Sequence, residues 1–198
     1  MAGCKAPPAL STGHRNLTWR WEVTPLTLNR DDCIFENGFA HRQAALPLSR
    51  TSLMLKQDIL LAALASSRGT AYSPIQIQKL LFLVDRRMGR DIGGPFFDFI
   101  PYSYGPFDRS IYDLLTLLIR KGLVAEVDVP GENWKLYRPT SSGQVKGEQA
   151  LACIPAKLSS YLGQLSSYVV KLSFRDLVSE IYRAYPEMQV NTVFKVRR

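Results

Sequence analysis

The residues best suited to chemistry lie in one short stretch, Tyr102-Ser-Tyr-Gly-Pro-Phe107. Its two phenols, Tyr102 and Tyr104, can hydrogen-bond a ligand, a phosphate or the backbone of a partner. Proton transfer would need a base beside them, and histidine is the usual one. Both histidines of the chain, His14 and His41, precede residue 54. The stretch therefore predicts binding contacts rather than catalysis, and we expect the protein not to be an enzyme.

The other reactive side chains match no known catalytic or metal-site pattern. From residue 54 onward the chain has no histidine and one cysteine, Cys153, which excludes a nucleophile–histidine pair or a histidine-containing metal site there. No P-loop or Gly-x-Gly-x-x-Gly motif is present. We expect no cofactor and no metal ion, and we expect Cys153 to be a small buried hydrophobe. A carboxylate-only site stays conceivable from Asp85, Asp91, Asp98, Asp108 and Asp113.

The charge of the chain favours a nucleic acid or an acidic partner. The 198 residues include 25 Lys and Arg against 17 Asp and Glu, a net charge of +8. A solvated basic surface would give the same composition. The longest apolar run, Ile59 to Ala65, is far too short to span a bilayer, and the first residues lack a signal-peptide pattern. We therefore expect a cytoplasmic protein that does not enter the membrane.

The chain divides into two unequal parts near Met54. Residues 1–53 show neither helical nor strand periodicity, whereas a regular helical pattern begins at Met54. We interpret residues 1–53 as unstructured, or as upstream sequence included by a wrongly assigned start, with a real accessory arm as the alternative. The folded domain is then expected over residues 54–192, followed by a basic tail over 193–198.

Periodicity predicts the elements that must position the Tyr-Ser-Tyr-Gly-Pro-Phe stretch. The first helix is predicted over 54–66, with its apolar face at Ile59, Leu60, Ala63 and Leu64. The second helix begins at Ser73 and Pro74 and ends near Gly89. Aromatic residues predict a strand over 96–102. Gly105-Pro106 is then expected to open a third helix that Gly122 terminates. Its buried stripe is predicted at Ile111, Leu114, Leu115 and Leu118.

A β-hairpin and further helices are predicted after the third helix. The hairpin has strands over 123–129 and 134–138 around a Pro-Gly turn. Helices are predicted over 141–152, 156–171 and 174–185. The order of helix, helix, strand, helix and hairpin indicates a mainly α fold with a small β-hairpin: a winged helix-turn-helix-like core plus C-terminal helices. The apolar stripes of those last helices are either core or a surface for a partner helix or a second copy, so a homodimer is conceivable.

Five segments follow one another in a recognisable order: Gln78-Lys-Leu-Leu-Phe-Leu83, Phe97-Asp-Phe-Ile-Pro-Tyr-Ser-Tyr-Gly-Pro-Phe107, Ile111-Tyr-Asp-Leu-Leu115, Lys121-Gly-Leu-Val124 and Ile181-Tyr-Arg-Ala-Tyr-Pro-Glu-Met188. In this order they resemble the YwgA-like family and the wider Panacea, or SocA-like antitoxin, domain. The resemblance covers about residues 54–192 and none of residues 1–53. It implies a helical, winged-helix-like fold and a role in neutralising a cognate toxin or another protein.

Two binding functions follow, and each selects different residues. In the first, the chain is an antitoxin-like module that masks a protein through Tyr102, Tyr104, Gly105, Pro106 and Tyr112. In the second, it is a DNA-binding regulator that reads DNA with its third helix and its hairpin wing. A purely structural interpretation of the Tyr102–Phe107 stretch also stays open. In this interpretation Gly105 and Pro106 only shape the chain, and Phe97, Phe99 and Phe107 are core. The expected DNA contacts are Arg109, Thr116, Arg120, Lys135 and Arg138.

Overall fold

The computed structural model describes residues 55–194, and everything stated about structure refers to that range. The predictions for residues 1–53, and for the last four residues of the basic tail, lie outside it. The described part is mainly helical, with six α-helices and two antiparallel strand pairs. None of its helices reaches the length and apolarity that crossing a bilayer requires.

The observed elements follow the predicted order with one additional hairpin. The helices are α1 Lys56–Ala65, α2 Pro74–Met88, α3 Ser110–Arg120, α4 Ser141–Ala152, α5 Ala156–Lys171 and α6 Phe174–Ala184. The strands are β1 Ile100–Tyr102, β2 Gly105–Phe107, β3 Val124–Asp128 and β4 Lys135–Pro139. Short 3₁₀ turns follow α2 and α6, at Gly89–Ile92 and Pro186–Gln189.

Helix α1 lies at the centre of the fold. Its residues from Ile59 to Ala65 are all buried, because α2, α3, α4, α5 and β4 pack around it. The apolar face predicted from Ile59, Leu60, Ala63 and Leu64 was therefore too narrow. Helix α4 makes the closest approach to α1, and the side-chain amide of Gln144 donates to the Ala65 carbonyl at 3.1 Å.

The start of α2 is as the sequence predicts. Ser73 is the N-cap and accepts the Gln76 N–H at 3.4 Å, and Pro74 occupies the first helical position. Just before the cap, Tyr72 pairs with Tyr137 of β4 through two backbone hydrogen bonds of 2.8 Å. This bridge fastens the segment between α1 and α2 to the β3–β4 hairpin.

The prediction that Gly105-Pro106 opens the third helix is wrong. These residues form β2, which pairs with β1 in a tight hairpin with Pro101 opposite Pro106. Gly105 has φ +93°, a left-handed conformation that an α-helix does not accommodate and that glycine adopts readily. Helix α3 begins at Ser110, whose N–H donates to the Asp108 carboxylate at 2.7 Å. The aromatic segment before Ile100 forms no strand either, so the predicted strand over 96–102 is shortened to β1.

The other predicted boundaries agree closely with the structure. Gly122 ends α3 with φ +67°, and the Leu123 N–H donates back to the Leu118 carbonyl at 2.9 Å. The apolar stripes of α5 and α6 face inward, so they form core rather than an open partner surface. The core side chains of these two helices are Leu158, Leu162, Leu165, Val169, Leu177, Val178, Ile181 and Tyr182.

Candidate functional site

Polar side chains of α2 hold the whole segment from Phe96 to Asp108 in place. The Asp85 carboxylate accepts the backbone N–H groups of Phe96 and Phe97 at 3.0 and 2.8 Å. The Gln78 amide accepts the Asp108 N–H at 3.0 Å and donates to the Asp108 carbonyl at 2.9 Å, much as a strand neighbour would. The β1–β2 hairpin is therefore fixed to a rigid helix rather than left as an independent loop.

Asp108 joins this framework to the start of α3. Its carboxylate accepts the N–H groups of Asp98 and Ser110, each at 2.7 Å. Burial alone would raise the pKa of Asp108. The hydrogen bonds from Ser110 and Asp98, together with the charge of Lys56, outweigh burial and lower that pKa. Two of the five aspartates considered for a carboxylate site, Asp85 and Asp108, thus bind backbone groups.

We expect Asp108→Asn to lower the free energy of unfolding by about 1–3 kcal/mol near neutral pH. One of the two backbone N–H groups that Asp108 binds, those of Asp98 and Ser110, would then face the NH₂ group of the asparagine. Since the folded-state pKa lies below the unfolded value, the carboxylate stabilises the fold above about pH 4, and this stabilisation is lost as the pH falls. Urea denaturation over that range measures the difference. Asp113→Asn, the same change on the exposed face of α3, is the control and should be near neutral.

A groove of about 740 Å³ opens beside the hairpin. It lies among the N-terminal turns of α2, the β1–β2 hairpin, α3, the start of β4 and the first residue of α6. Its size matches pockets that hold a ligand or a few side chains of a partner. The lining consists of Ser73, Pro74, Ile75, Gln76, Gln78, Lys79, Tyr102, Tyr104, Gly105, Phe107, Tyr112, Trp134, Leu136 and Phe174.

Six of the fourteen described residues that line this groove are aromatic. Phe107 packs between Tyr102 and Tyr112, at 5.0 and 5.9 Å between ring centroids. Tyr104 meets Phe174 of α6 edge-on at 5.3 Å. Even so, Tyr102 and Tyr104 remain 53% and 44% exposed. Within residues 55–194 the hydroxyls of Tyr102, Tyr104 and Tyr112 make no hydrogen bond.

Of the described residues that line the groove, Lys79 is the one that carries a charge. Its side chain is 2% exposed, and its ammonium Nζ donates to the Pro106 carbonyl at 3.0 Å. No carboxylate in the described part of the chain pairs with it. Burial therefore lowers the pKa of Lys79 to about 7, because the charged form loses its hydration without gaining a counter-ion.

The fold brings most of the predicted partner-binding residues together. Tyr102, Tyr104, Gly105 and Tyr112 all line the groove, whereas Pro106 contributes the carbonyl that Lys79 binds. Sequence reasoning did not select Lys79 as a site residue. The sequence does contain a signal, since Lys79 is the only charged residue between Ile77 and Val84. The structure buries every residue of that run.

The residues predicted to contact DNA lie on α3 and on the β3–β4 hairpin. Arg109, Arg120 and Arg138 are exposed, as that interpretation requires. Lys135, however, forms a salt bridge with Glu126 at 2.7 Å and lies 3.9 Å from Asp128. The Thr116 hydroxyl donates to the carbonyl one turn earlier in α3 at 2.9 Å. Two of the five predicted contacts are therefore already engaged within the protein.

Cys153 does not have the role expected for it. Cys153 is exposed rather than buried, and it is the C-cap residue of α4. It borders a second, more polar cavity of about 290 Å³ between α1 and α4. Residues 55–194 contain no group of three or more His, Cys, Asp or Glu that could hold a metal ion.

Comparison with known proteins identifies no family. The chain matches no known protein family, and no curated protein matches it significantly.

Proposed function

We propose that the protein is a non-enzymatic, antitoxin-like module that neutralises a partner protein by holding a segment of it in the aromatic groove. One observation carries this proposal. Three tyrosines, Tyr102, Tyr104 and Tyr112, are held partly exposed around one concave surface, and no other described residue binds their hydroxyls. Tyrosine and tryptophan dominate protein-binding hot spots, because they offer a large contact area with few rotatable bonds.

The rigid setting of the groove supports the same function. The hairpin that carries Tyr102 and Tyr104 is fastened through Gln78 and Lys79 of α2. On its other side, the Val193 N–H donates to the Ser103 carbonyl at 3.0 Å. A surface ordered before binding loses little conformational entropy when the partner arrives. The resemblance of residues 54–192 to the Panacea and YwgA-like group implies the same role.

The proposal includes a winged-helix-like core, which the Tyr72–Tyr137 bridge supports. That bridge sets a residue between α1 and α2 against β4, so that α1, the bridge, α2, α3 and the β3–β4 hairpin follow in winged-helix order. In this arrangement β1 and β2 are an insertion between α2 and α3. They pair with each other and not with the wing strands.

DNA binding through α3 and the wing is the alternative proposal. The exposed guanidinium groups of Arg109 and Arg120 on α3 favour it. Binding of this kind should weaken steeply as salt concentration rises and should depend on these arginines. The alternative would be favoured over partner masking if the protein shifted upstream DNA in a gel, if Arg109→Ser and Arg120→Ser abolished the shift, and if Tyr104→Ala left it unchanged.

The test of partner masking is growth rescue by co-expression with the product of the adjacent gene. We expect that product to arrest growth and the wild-type chain to restore it. Tyr104→Ala should weaken binding of the product by about 2 kcal/mol, or about thirtyfold, since it removes a central aromatic contact. Arg120→Ala on α3 is the matched control and should rescue fully. A non-toxic neighbour, or full rescue by Tyr104→Ala and by Tyr102→Ala, would refute the proposal.

A further inference from the structure

We infer that the groove selects a partner segment that carries an aspartate or glutamate, and that the carboxylate of this residue binds the ammonium of Lys79. The inference rests on the proposed function and specifies its partner. It assigns to Lys79 the recognition of an acidic side chain, and to the surrounding aromatic rings the binding of apolar neighbours in the same segment.

The first argument is the unused hydrogen-bonding capacity of Lys79. A lysine ammonium has three donors, and the described part of the chain offers this one a single acceptor, the Pro106 carbonyl. Buried charges are normally paired, because an unpaired charge is costly to remove from water. An incoming carboxylate would supply both the missing acceptor and the missing charge.

The second argument is the charge of the groove as a whole. Among the described residues, its lining contains Lys79 and no aspartate or glutamate. The carboxylates of Asp85 on α2 and of Asp108 after β2 bind backbone N–H groups instead. The free hydroxyls of Tyr102 and Tyr104 add further donors. The groove is thus complementary to an anion with an apolar surround.

Gly105 lies directly beside the ammonium of Lys79. A Cβ atom at this position would lie 3.6 Å from Nζ of Lys79 and 3.2 Å from a ring carbon of Tyr182. The positive φ of Gly105 favours glycine, and any side chain here would also crowd Tyr182 and Lys79.

A peptide carboxylate suits this site better than a nucleic acid does. Aromatic walls would accept stacked bases, but strands of nucleic acid are held by several cations that follow the phosphates. The groove lining contains one lysine and no arginine. A single ammonium matches a single carboxylate, and the apolar rings beside it match neighbouring apolar side chains of a peptide.

The same pairing makes binding depend on pH. Burial lowers the pKa of Lys79 to about 7, and a bound carboxylate raises it again, so binding takes up a proton above that pH. In the described part of the chain, the other titratable groups that line the groove or lie beside Gly105 are the phenols of Tyr102, Tyr104, Tyr112 and Tyr182. Burial raises the pKa of Tyr112 and Tyr182 above their ordinary value near 10. Lys79 is therefore the group expected to govern the pH dependence.

The experiment uses two libraries of capped hexapeptides and the full chain. One position is glutamate in the first library and glutamine in the second, and the other positions are randomised over apolar and aromatic residues. Bound peptides are quantified by mass spectrometry at about pH 6.5 and about pH 8.5, on either side of the Lys79 titration. We expect recovery of the glutamate library to exceed that of the glutamine library about tenfold at the lower pH. This ratio should fall at least fivefold at the higher pH.

Variants identify the residue responsible. Lys79→Met should recover both libraries equally, whereas Lys157→Met, the same change at an exposed site on α5, should keep the wild-type ratio. The inference would be overturned if the wild type recovered both libraries equally or recovered neither of them. It would also be overturned if Lys79→Met preserved the wild-type ratio, or if hexathymidylate were retained more strongly than either library. If Tyr104→Ala abolishes recovery of both libraries while the glutamate preference is absent, the inference falls and the proposed function stands.

Discussion

Replacing Gly147 with alanine is expected to lower the free energy of unfolding by about 3 kcal/mol. Gly147 lies on α4 where this helix crosses the central α1. An added Cβ would sit 2.5 Å from the Leu61 carbonyl oxygen and closer still to the Ala65 Cβ. Neither obstacle is the flexible end of a side chain, so α4 would have to move away from α1 and leave gaps along the core.

Gly163→Ala on α5 is the matched control for this prediction. A Cβ there meets no atom within 4 Å, so the change should stabilise the protein by about 1 kcal/mol through helix propensity alone. Urea denaturation followed by circular dichroism measures both variants against the wild type. A neutral Gly147→Ala would show that close α1–α4 contact does not limit stability.

Lys79→Met is expected to raise the free energy of unfolding by about 2–4 kcal/mol at pH 7 and below. The gap between the ordinary lysine pKa of 10.5 and the value of about 7 in the fold corresponds to about 5 kcal/mol of cost for burying the charge. Methionine fills a similar volume without that charge. The gain should be smaller than the full cost, because the Pro106 carbonyl loses its donor, which costs about 1–3 kcal/mol.

The pH dependence of stability provides the second readout for Lys79. Below about pH 7 the amine is charged in both the folded and the unfolded chain, so the cost is constant. Between about 7 and 10.5 the unfolded chain binds the extra proton, and wild-type stability should rise with pH. The advantage of Lys79→Met should shrink over the same range. Arg86→Met, at an exposed position of α2, controls for loss of charge on that helix.

A stabilising Lys79→Met would have a functional meaning. A protein that keeps an unpaired buried ammonium gives up stability that a simple substitution would restore. Such a trade is typical of binding and catalytic sites, where groups are held ready for a partner that is absent from the free protein. If Lys79→Met is more stable and also discriminates less between glutamate and glutamine peptides, the stability that the wild type gives up is explained by the binding role of Lys79.

The helices were predictable because their signals are local. Ser73 and Pro74 begin α2, Gly122 ends α3 and Pro155 separates α4 from α5, and each acts on the backbone within a turn or two. Apolar periodicity likewise placed α5 and α6, although it did not tell whether their stripes faced the core or a partner. That choice depends on which other elements lie nearby, and α2 packs against both helices.

The corner at Gly105 shows where local rules fail. A Gly-Pro pair is compatible with the start of a helix and with a strand, and the choice was made by residues outside it. Gln78 and Lys79 of α2 bind the backbone at Asp108 and Pro106, which holds the chain in a hairpin until Ser110. These contacts span about thirty residues of sequence, so no local pattern reveals them.

The sequence by itself determined the helical architecture, the β3–β4 hairpin and the lack of histidine beyond residue 53, because each follows from residue type and short-range spacing. Only the tertiary structure decided which side chains meet in the groove. Tyr102, Tyr112, Trp134 and Phe174 come from four separate parts of the chain, and packing around α2 brings them together. The tertiary structure also decided the pKa of Lys79, since the pKa of an amine depends on the water and counter-ions around it rather than on its neighbours in sequence.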